Sequence, residues 1–120
     1  MPSTIRPILV TPDLDRLLAF YSGLLGAVEV MRFPEDGPPF YVGLEIGSSE
    51  LGISVAAEVQ TGSPGRALLS IDVPDVDALL PRVAALGGSA PGPSNDMPWG
   101  QRVAHVTDPD GNALNLTQTL

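Results

Sequence analysis

The chain has 120 residues, 43% of them hydrophobic, which is room for one compact domain, residues 1–120, with its own core. It contains no cysteine, and this excludes disulfides, thiolate nucleophiles, iron–sulfur clusters and cysteine-ligated zinc. The net charge of −8 repels phosphate backbones, so we expect no nucleic-acid partner; the charge either favours cationic partners or only keeps the surface soluble.

The beginning of the chain bears on its location. The first ten residues, MPSTIRPILV, place a Pro and an Arg where a signal peptide needs a long apolar run. A run of 18 consecutive apolar residues, long enough for a membrane span, occurs nowhere. We therefore expect a cytoplasmic protein with no membrane partner.

The first half predicts a strand, a helix and three more strands. After an apolar run, Thr11 is a candidate helix cap, Pro12 suits the first helical position and Gly26 ends an amphipathic stripe. The segments VEVMRF (28–33), FYVGLEI (40–46) and ELGISVA (50–56) then predict an antiparallel meander.

The second half follows a linker at residues 58–65. A strand at 67–73 precedes a second helix, in which Pro81 removes one backbone hydrogen bond and predicts a bend or a shortened first turn. The remaining predicted strands are a weak one at 89–92, one at 100–107 and, after the turn DPDGN, one at 113–118.

The two halves are copies of one plan. At an offset of 62, PDLDRLLAFYSGLLG (12–26) aligns with PDVDALLPRVAALGG (74–88), and seven of the fifteen pairs are identical. The sequence therefore predicts an α+β protein built from two βαβββ modules, residues 1–57 and 66–120.

Together with these paired modules, the segments PDLD, LAFYSGLLGA and VTDPDGNALNL resemble the vicinal oxygen chelate superfamily. That superfamily includes glyoxalases, ring-cleaving dioxygenases and antibiotic-resistance proteins. The resemblance covers nearly the whole chain. It implies a curved mixed sheet that forms a cup, with the helices outside and two chains paired in a dimer.

The superfamily's enzymes hold a divalent metal at four strand positions. Carried onto this chain, those positions are Arg6, Gly52, Leu68 and Asn115, so all four usual ligands are missing. The chain also has a single histidine, His105, whereas zinc, iron and nickel sites in such folds need two or more imidazoles. We expect no metal and no cofactor, although an all-oxygen magnesium or calcium site stays formally possible.

Because side chains alternate between the two faces of a strand, the four metal-ligand positions also imply which side chains face the cup. The other face, covered by the helices, is then apolar: Leu9, Val42, Leu44, Ile46, Ile53, Val55, Leu114 and Leu116. We assign no catalytic residue. The predicted ligand-binding residues are Arg6, Ile8, Tyr41, Glu45, Leu68, Ser70, Met97, Trp99, Arg102, His105 and Asn115.

Three of these residues carry alternatives. The Arg6 guanidinium suits a carbonyl, a carboxylate or an aromatic ring, or forms an internal ion pair with Glu45 or Asp72. His105 is either a hydrogen-bonded strand residue or a base. Trp99 belongs to a loop with Met97 that can clamp a flat ring, or it fills a core or a subunit contact.

The Trp-Gly pair before the seventh strand and Pro7 in the first resemble the bleomycin-resistance branch, whose members bind an antibiotic without changing it. We therefore expect metal-free binding of a small, partly aromatic natural product or antibiotic by a homodimer. The alternative is a glyoxalase-like lyase or isomerase that acts on a small carbonyl compound, with His105, Glu45 or Arg6 as acid or base. A third possibility is a degenerate member that serves only as an interaction module.

Overall fold

The computed structural model of the chain describes residues 3–120. The chain divides between Gln60 and Thr61 into two compact units, and each unit carries one βαβββ module. The predicted α+β class and the two modules are confirmed. Neither helix of the described residues is long and apolar enough to span a membrane.

Module 1 has a four-stranded mixed sheet with the strand order β1-β4-β3-β2. Strand β1 runs parallel to β4, and the other neighbours are antiparallel. The elements are β1 (Ile8–Thr11), α1 (Leu14–Leu25), β2 (Val28–Phe33), β3 (Tyr41–Ile46) and β4 (Ser49–Val55).

Module 2 repeats this plan with the order β5-β8-β7-β6 and a parallel β5–β8 pair. Equivalent residues occupy equivalent registers: Ile8 lies beside Gly52 in module 1 as Ser70 lies beside Asn115 in module 2. The elements are β5 (Leu69–Asp72), α2 (Val76–Ala85), β6 (Asn95–Asp96), β7 (Gln101–Thr107) and β8 (Ala113–Thr119).

The core of each module lies between its helix and one face of its sheet. In α1 the buried side chains are Leu17, Phe20, Tyr21 and Leu24, one apolar stripe at helical spacing. The sheet side chains predicted for the covered face are buried at Val42, Leu44, Ile53, Leu114 and Leu116, and half-buried at Leu9, Ile46 and Val55. Strand alternation therefore identified the covered face correctly.

The start of α1 corrects the sequence prediction. The cap is Asp13, whose side chain accepts the backbone N–H of Arg16 at 3.1 Å, so Pro12 precedes the cap. Thr11 is buried, and its hydroxyl accepts the backbone N–H of Asp13 at 3.0 Å, which holds the cap in place. Gly26 ends the helix as predicted, at a left-handed φ of 67°.

Two features of module 2 also differ from expectation. Helix α2 starts at the position equivalent to the start of α1 and continues past the exposed Pro81, so its first turn is not shortened. The weak strand predicted at 89–92 is wrong: Ser89 makes one isolated bridge to Thr107, and β6 follows later. The prolines and glycine of the segment APGP (90–93) explain this, because they interrupt strand pairing.

Candidate functional site

The open face of module 1 is the side of its sheet that α1 does not cover. Residues opposite one another on neighbouring strands share a face, so the register identifies its members. Ile8, Gly52 and Gly43 form one row across β1, β4 and β3, and Met31 continues it on β2. Five apolar side chains of this face are 45–59% exposed: Ile8, Val10, Val28, Met31 and Phe33.

A β-bulge in β2 increases the apolar surface of this face. Val28 lies opposite Glu45, but Met31 lies opposite Gly43, which makes Val30 the extra residue. The bulge turns Met31 and Phe33 to the same side as Val28. No β2 residue was predicted for the site, although VEVMRF carries a signal: its apolar residues alternate at 28 and 30 and then shift by one position to 31 and 33.

Tyr41 lies across the open face above Gly52. A Cβ atom on Gly52 would stand 2.9 Å from the Cε1 and Cζ atoms of the Tyr41 ring, so only glycine leaves room for the ring there. Tyr41 is half-buried and Gly52 is buried. The aromatic ring is therefore part of the floor of this face.

The charged part of the open face is an ion pair between Arg6 and Glu50. The Arg6 Nε and Nη2 atoms donate to Glu50 Oε2 at 2.8 and 2.6 Å, and these bonds raise the pKa of the Arg6 guanidinium. Of the alternatives weighed from sequence, the internal ion pair forms, but its partner is neither Glu45 nor Asp72. Glu45 and Glu50 face each other on β3 and β4, so this part of the face carries two carboxylates, one of which is paired with Arg6.

The open face of module 2 carries a polar row. Ser70, Asn115 and His105 lie side by side on β5, β8 and β7. His105 Nδ1 and Asn115 Oδ1 are 2.6 Å apart, and the imidazole is exposed. Leu68, just before β5, is 56% exposed. The structure thus brings together three of the predicted site residues of module 2, and Leu68 precedes the strand that carries one of them.

The neighbouring row is more buried. The Thr117 hydroxyl makes a short hydrogen bond to Asp72 Oδ1 and a longer one, 3.4 Å, to the Ile71 carbonyl. Thr117 and the opposite Val103 are 3% and 5% exposed. Asp72 itself is exposed, so its carboxylate is accessible beside the Ser70–Asn115–His105 row.

Trp99 occupies a tight turn at the start of β7. The Gly100 N–H donates to the Met97 carbonyl at 3.0 Å, with Pro98 in the second turn position, where its fixed φ is favoured. The Trp99 side chain is 66% exposed, and its Nε1–H donates to Gln101 Oε1 at 2.9 Å. Met97 is half-buried. An exposed indole held by one hydrogen bond is available for stacking.

Arg102 lies apart from the polar row. It is next to Val103 but on the other side of β7, where its guanidinium bonds Asp96 Oδ1 at 2.8 Å and lies 3.3 Å from Asp77 Oδ2 of α2. The hydrogen bonds raise the pKa of Arg102 and lower that of Asp96. The sequence placed Arg102 in the ligand site, whereas its contacts are those of a link between helix and sheet.

The DPDGN turn between β7 and β8 is held by hydrogen bonds to one buried side chain. Asp108, 2% exposed, accepts the backbone N–H groups of Asp110 and Asn112 at 2.9 and 3.0 Å and the Asn112 side-chain amide at 2.8 Å. Gly111 has a φ of 89°, and a Cβ there would stand 2.9 Å from the Gly62 carbonyl carbon. The turn fixes the register that places His105 opposite Asn115.

The donor set does not fit the divalent metal that the superfamily's enzymes use. Arg6 is a cation, Gly52 has no side chain and Leu68 is apolar, while the Asn115 oxygen is already bonded to His105. Within residues 3–120, three or more His, Cys, Asp or Glu side chains nowhere gather as a metal site requires. Residues of these types cannot hold a transition metal at the superfamily's positions.

The repeat, the mixed sheets and the DPDGN register define a class of protein. Residues 4–116 match the family model described as the Glyoxalase/Bleomycin resistance protein/Dioxygenase superfamily, and the chain belongs to that superfamily. No curated protein matches the chain.

Solved structures share the fold of this chain. TioX from Micromonospora sp. ML1 is 26% identical over 99% of this chain and 100% of its own, with a TM-score of 0.76. A glyoxalase/bleomycin resistance protein/dioxygenase family enzyme from Burkholderia phytofirmans PsJN is 23% identical over 96% and 97%, with a TM-score of 0.79. The fosfomycin resistance protein FosX from Mesorhizobium loti is 17% identical over 100% and 94%, with a TM-score of 0.74.

Proposed function

We propose that this protein binds a small, partly aromatic molecule, of the natural-product or antibiotic kind, and releases it chemically unchanged without using a metal. The observation that carries the proposal is the composition of the open faces. They expose a group of apolar side chains, and the positions at which the superfamily's enzymes place metal ligands carry Arg6, Gly52, Leu68 and Asn115. Ligand sites are usually apolar surfaces with a few polar groups, which is the composition found here.

The binding free energy available from apolar contact decides whether a ligand needs other contacts as well. Complete burial of one such side chain is worth about 1.5–3 kcal/mol, so covering five half-exposed ones gives roughly 4–8 kcal/mol. Association itself costs at least about 4 kcal/mol. Apolar contact with module 1 alone therefore falls short of the roughly 8 kcal/mol of micromolar binding. A tight ligand on this face therefore needs polar contacts as well.

The comparisons support this proposal only at the level of the superfamily. FosX is named as a resistance protein, but at 17% identity its likeness supports the fold alone. The donor set of this chain supports binding without chemistry: without a Lewis acid at the four positions, the superfamily's usual means of activating a carbonyl is missing.

We further propose that the chain forms a homodimer. Strand β2 is an edge strand of its sheet, and the unpaired backbone groups of an exposed edge strand can pair with a strand of another chain. Residues 29–36, which include most of β2 and the turn after it, line a surface pocket of about 760 Å³. Val28, Val30 and Phe33 on this edge are 49–59% exposed.

One experiment tests binding and chemistry together. Trp99 is the chain's single tryptophan, so its emission can be followed without labels while aromatic antibiotics are titrated in. Mass spectrometry of the recovered compound then shows whether it changed. Saturable binding of an unchanged compound is the expected result. Turnover of every compound that binds would refute a pure binding role.

The second candidate is a lyase or isomerase that acts on a small carbonyl compound. The exposed His105 imidazole favours it, since a histidine on an accessible sheet face can transfer protons. Turnover of such a compound that disappears in His105→Gln, with the fold intact, would establish this candidate in place of the first.

A further inference from the structure

The contact between His105 and Asn115 bears on which ring nitrogen of His105 carries the hydrogen. The 2.6 Å separation joins the imidazole Nδ1 to the amide oxygen Oδ1. An amide oxygen has lone pairs and no hydrogen, so it can only accept. The hydrogen of this bond therefore resides on Nδ1.

This assignment fixes the chemistry of the other ring nitrogen. A neutral imidazole carries one hydrogen, so when Nδ1 holds it, Nε2 has a free lone pair and accepts. In a free histidine side chain the Nε2–H form predominates, so the protein has reversed the usual preference. His105 is exposed, and the reversed ring thus presents an acceptor to solvent on the open face of module 2.

We infer that Asn115 is a positioning residue that holds His105 in the Nδ1–H tautomer, and that Nε2 accepts a hydrogen bond from an O–H or N–H group on an aromatic ligand. The inference deepens the proposed function by naming a ligand class: aromatic molecules that carry a phenolic hydroxyl or a ring N–H. The superfamily's metal position in module 2 has thereby become part of an acceptor site for a hydrogen-bond donor.

The positioning step can be tested without any ligand. His105 is the only histidine, so its two ring nitrogens give the only imidazole signals in a ¹⁵N spectrum of labelled protein. At about pH 9 the imidazole of an ordinary histidine is neutral. We expect a pyrrole-type signal for Nδ1 and a pyridine-type signal for Nε2. The opposite pattern in the wild-type protein would overturn the inference.

Two variants at position 115 separate the amide's action from simple packing. Asn115→Asp keeps an oxygen that accepts the Nδ1 hydrogen, and we expect it to retain the Nδ1–H form. Asn115→Leu has a similar size but no acceptor, so the ring should return to the Nε2–H form. Retention of the Nδ1–H form in folded Asn115→Leu would show that Asn115 does not set the tautomer.

The acceptor step needs a matched pair of probes, 2-naphthol and 2-methoxynaphthalene, which differ in a hydroxyl hydrogen. We expect 2-naphthol to shift the Nε2 signal and to bind about 3- to 10-fold more tightly, as one hydrogen bond allows. In Asn115→Leu this preference should disappear. Equal affinities, or no shift of Nε2 with either probe, would overturn the acceptor role. The ligand-free spectra decide the tautomer independently, so failure of the proposed function leaves that result readable.

Discussion

Replacement of Trp99 by Ala separates a binding role of this residue from a structural one. The side chain is 66% exposed, so folding buries only about a third of it. A Trp presents roughly 250 Å². The buried third, about 80 Å² at 25 cal/mol per Å², contributes at most about 2 kcal/mol to the free energy of unfolding.

A buried ring provides the scale for comparison. Phe20 is fully buried on the inner side of α1, and replacing it with Ala should cost about 3–5 kcal/mol. We therefore expect Trp99→Ala to unfold at a clearly higher temperature than Phe20→Ala. Thermal unfolding followed by circular dichroism measures both variants under the same conditions.

If Trp99 contacts the ligand, Trp99→Ala should weaken ligand binding although it changes the stability of the fold little. An aromatic anchor that stacks on a ligand typically carries about 1–3 kcal/mol, which is roughly a 5- to 150-fold change in Kd. Calorimetry with a compound found in the fluorescence screen measures this loss, because the variant lacks the fluorophore. Trp99→Phe is the matched control: it keeps a ring but removes the bond from Nε1 to Gln101, so affinity should fall less.

Two results would refute this reasoning. If Trp99→Ala unfolds the protein, the side chain has a structural role that its exposure does not reveal. If Trp99→Ala binds every compound as tightly as the wild type does, neither the indole nor the turn from Met97 to Gly100 is part of the ligand site.

The remaining predictions concern metal, assembly and the DPDGN turn. Elemental analysis of protein purified without added metal should find no stoichiometric zinc, iron, nickel or manganese; near one metal per chain, with activity lost on chelation, would contradict the donor-set argument. Analytical ultracentrifugation should show a homodimer, whose interface we expect to bury more than roughly 1,200 Å² in total; a monomer at all concentrations would exclude it. Asp108→Ala should lower the free energy of unfolding by about 2–4 kcal/mol because three N–H donors lose their acceptor, and Asp108→Asn should lower it less. Equal stability of Asp108→Ala and the wild type in urea would show that these hydrogen bonds contribute nothing.

Those parts of the fold that follow from local patterns could be predicted from the sequence. The Pro-Asp repeat at an offset of 62 located both helices, and alternation identified the buried faces of β3 and β8. The helix cap was placed two residues early because Thr11 and Asp13 are both good caps, and only the backbone geometry decides between them.

Contacts that depend on register could not be predicted in the same way. The pairing of Ile8 with Gly52 brings Glu50 within reach of Arg6, and no local pattern around either residue indicates this. The likewise remote contact of Arg102 with Asp77 requires the packing of α2 on β7.

Two of the positions at which the superfamily's enzymes place metal ligands are equivalent in the two modules but carry different residues. Gly52 in module 1 and Asn115 in module 2 have the same register, yet one makes room for the Tyr41 ring and the other bonds the His105 imidazole. Module 1 therefore offers a flat aromatic and apolar surface, while module 2 offers directed hydrogen bonds. The same scaffold therefore occurs twice, and the side chain at one equivalent position gives the two open faces a different chemistry.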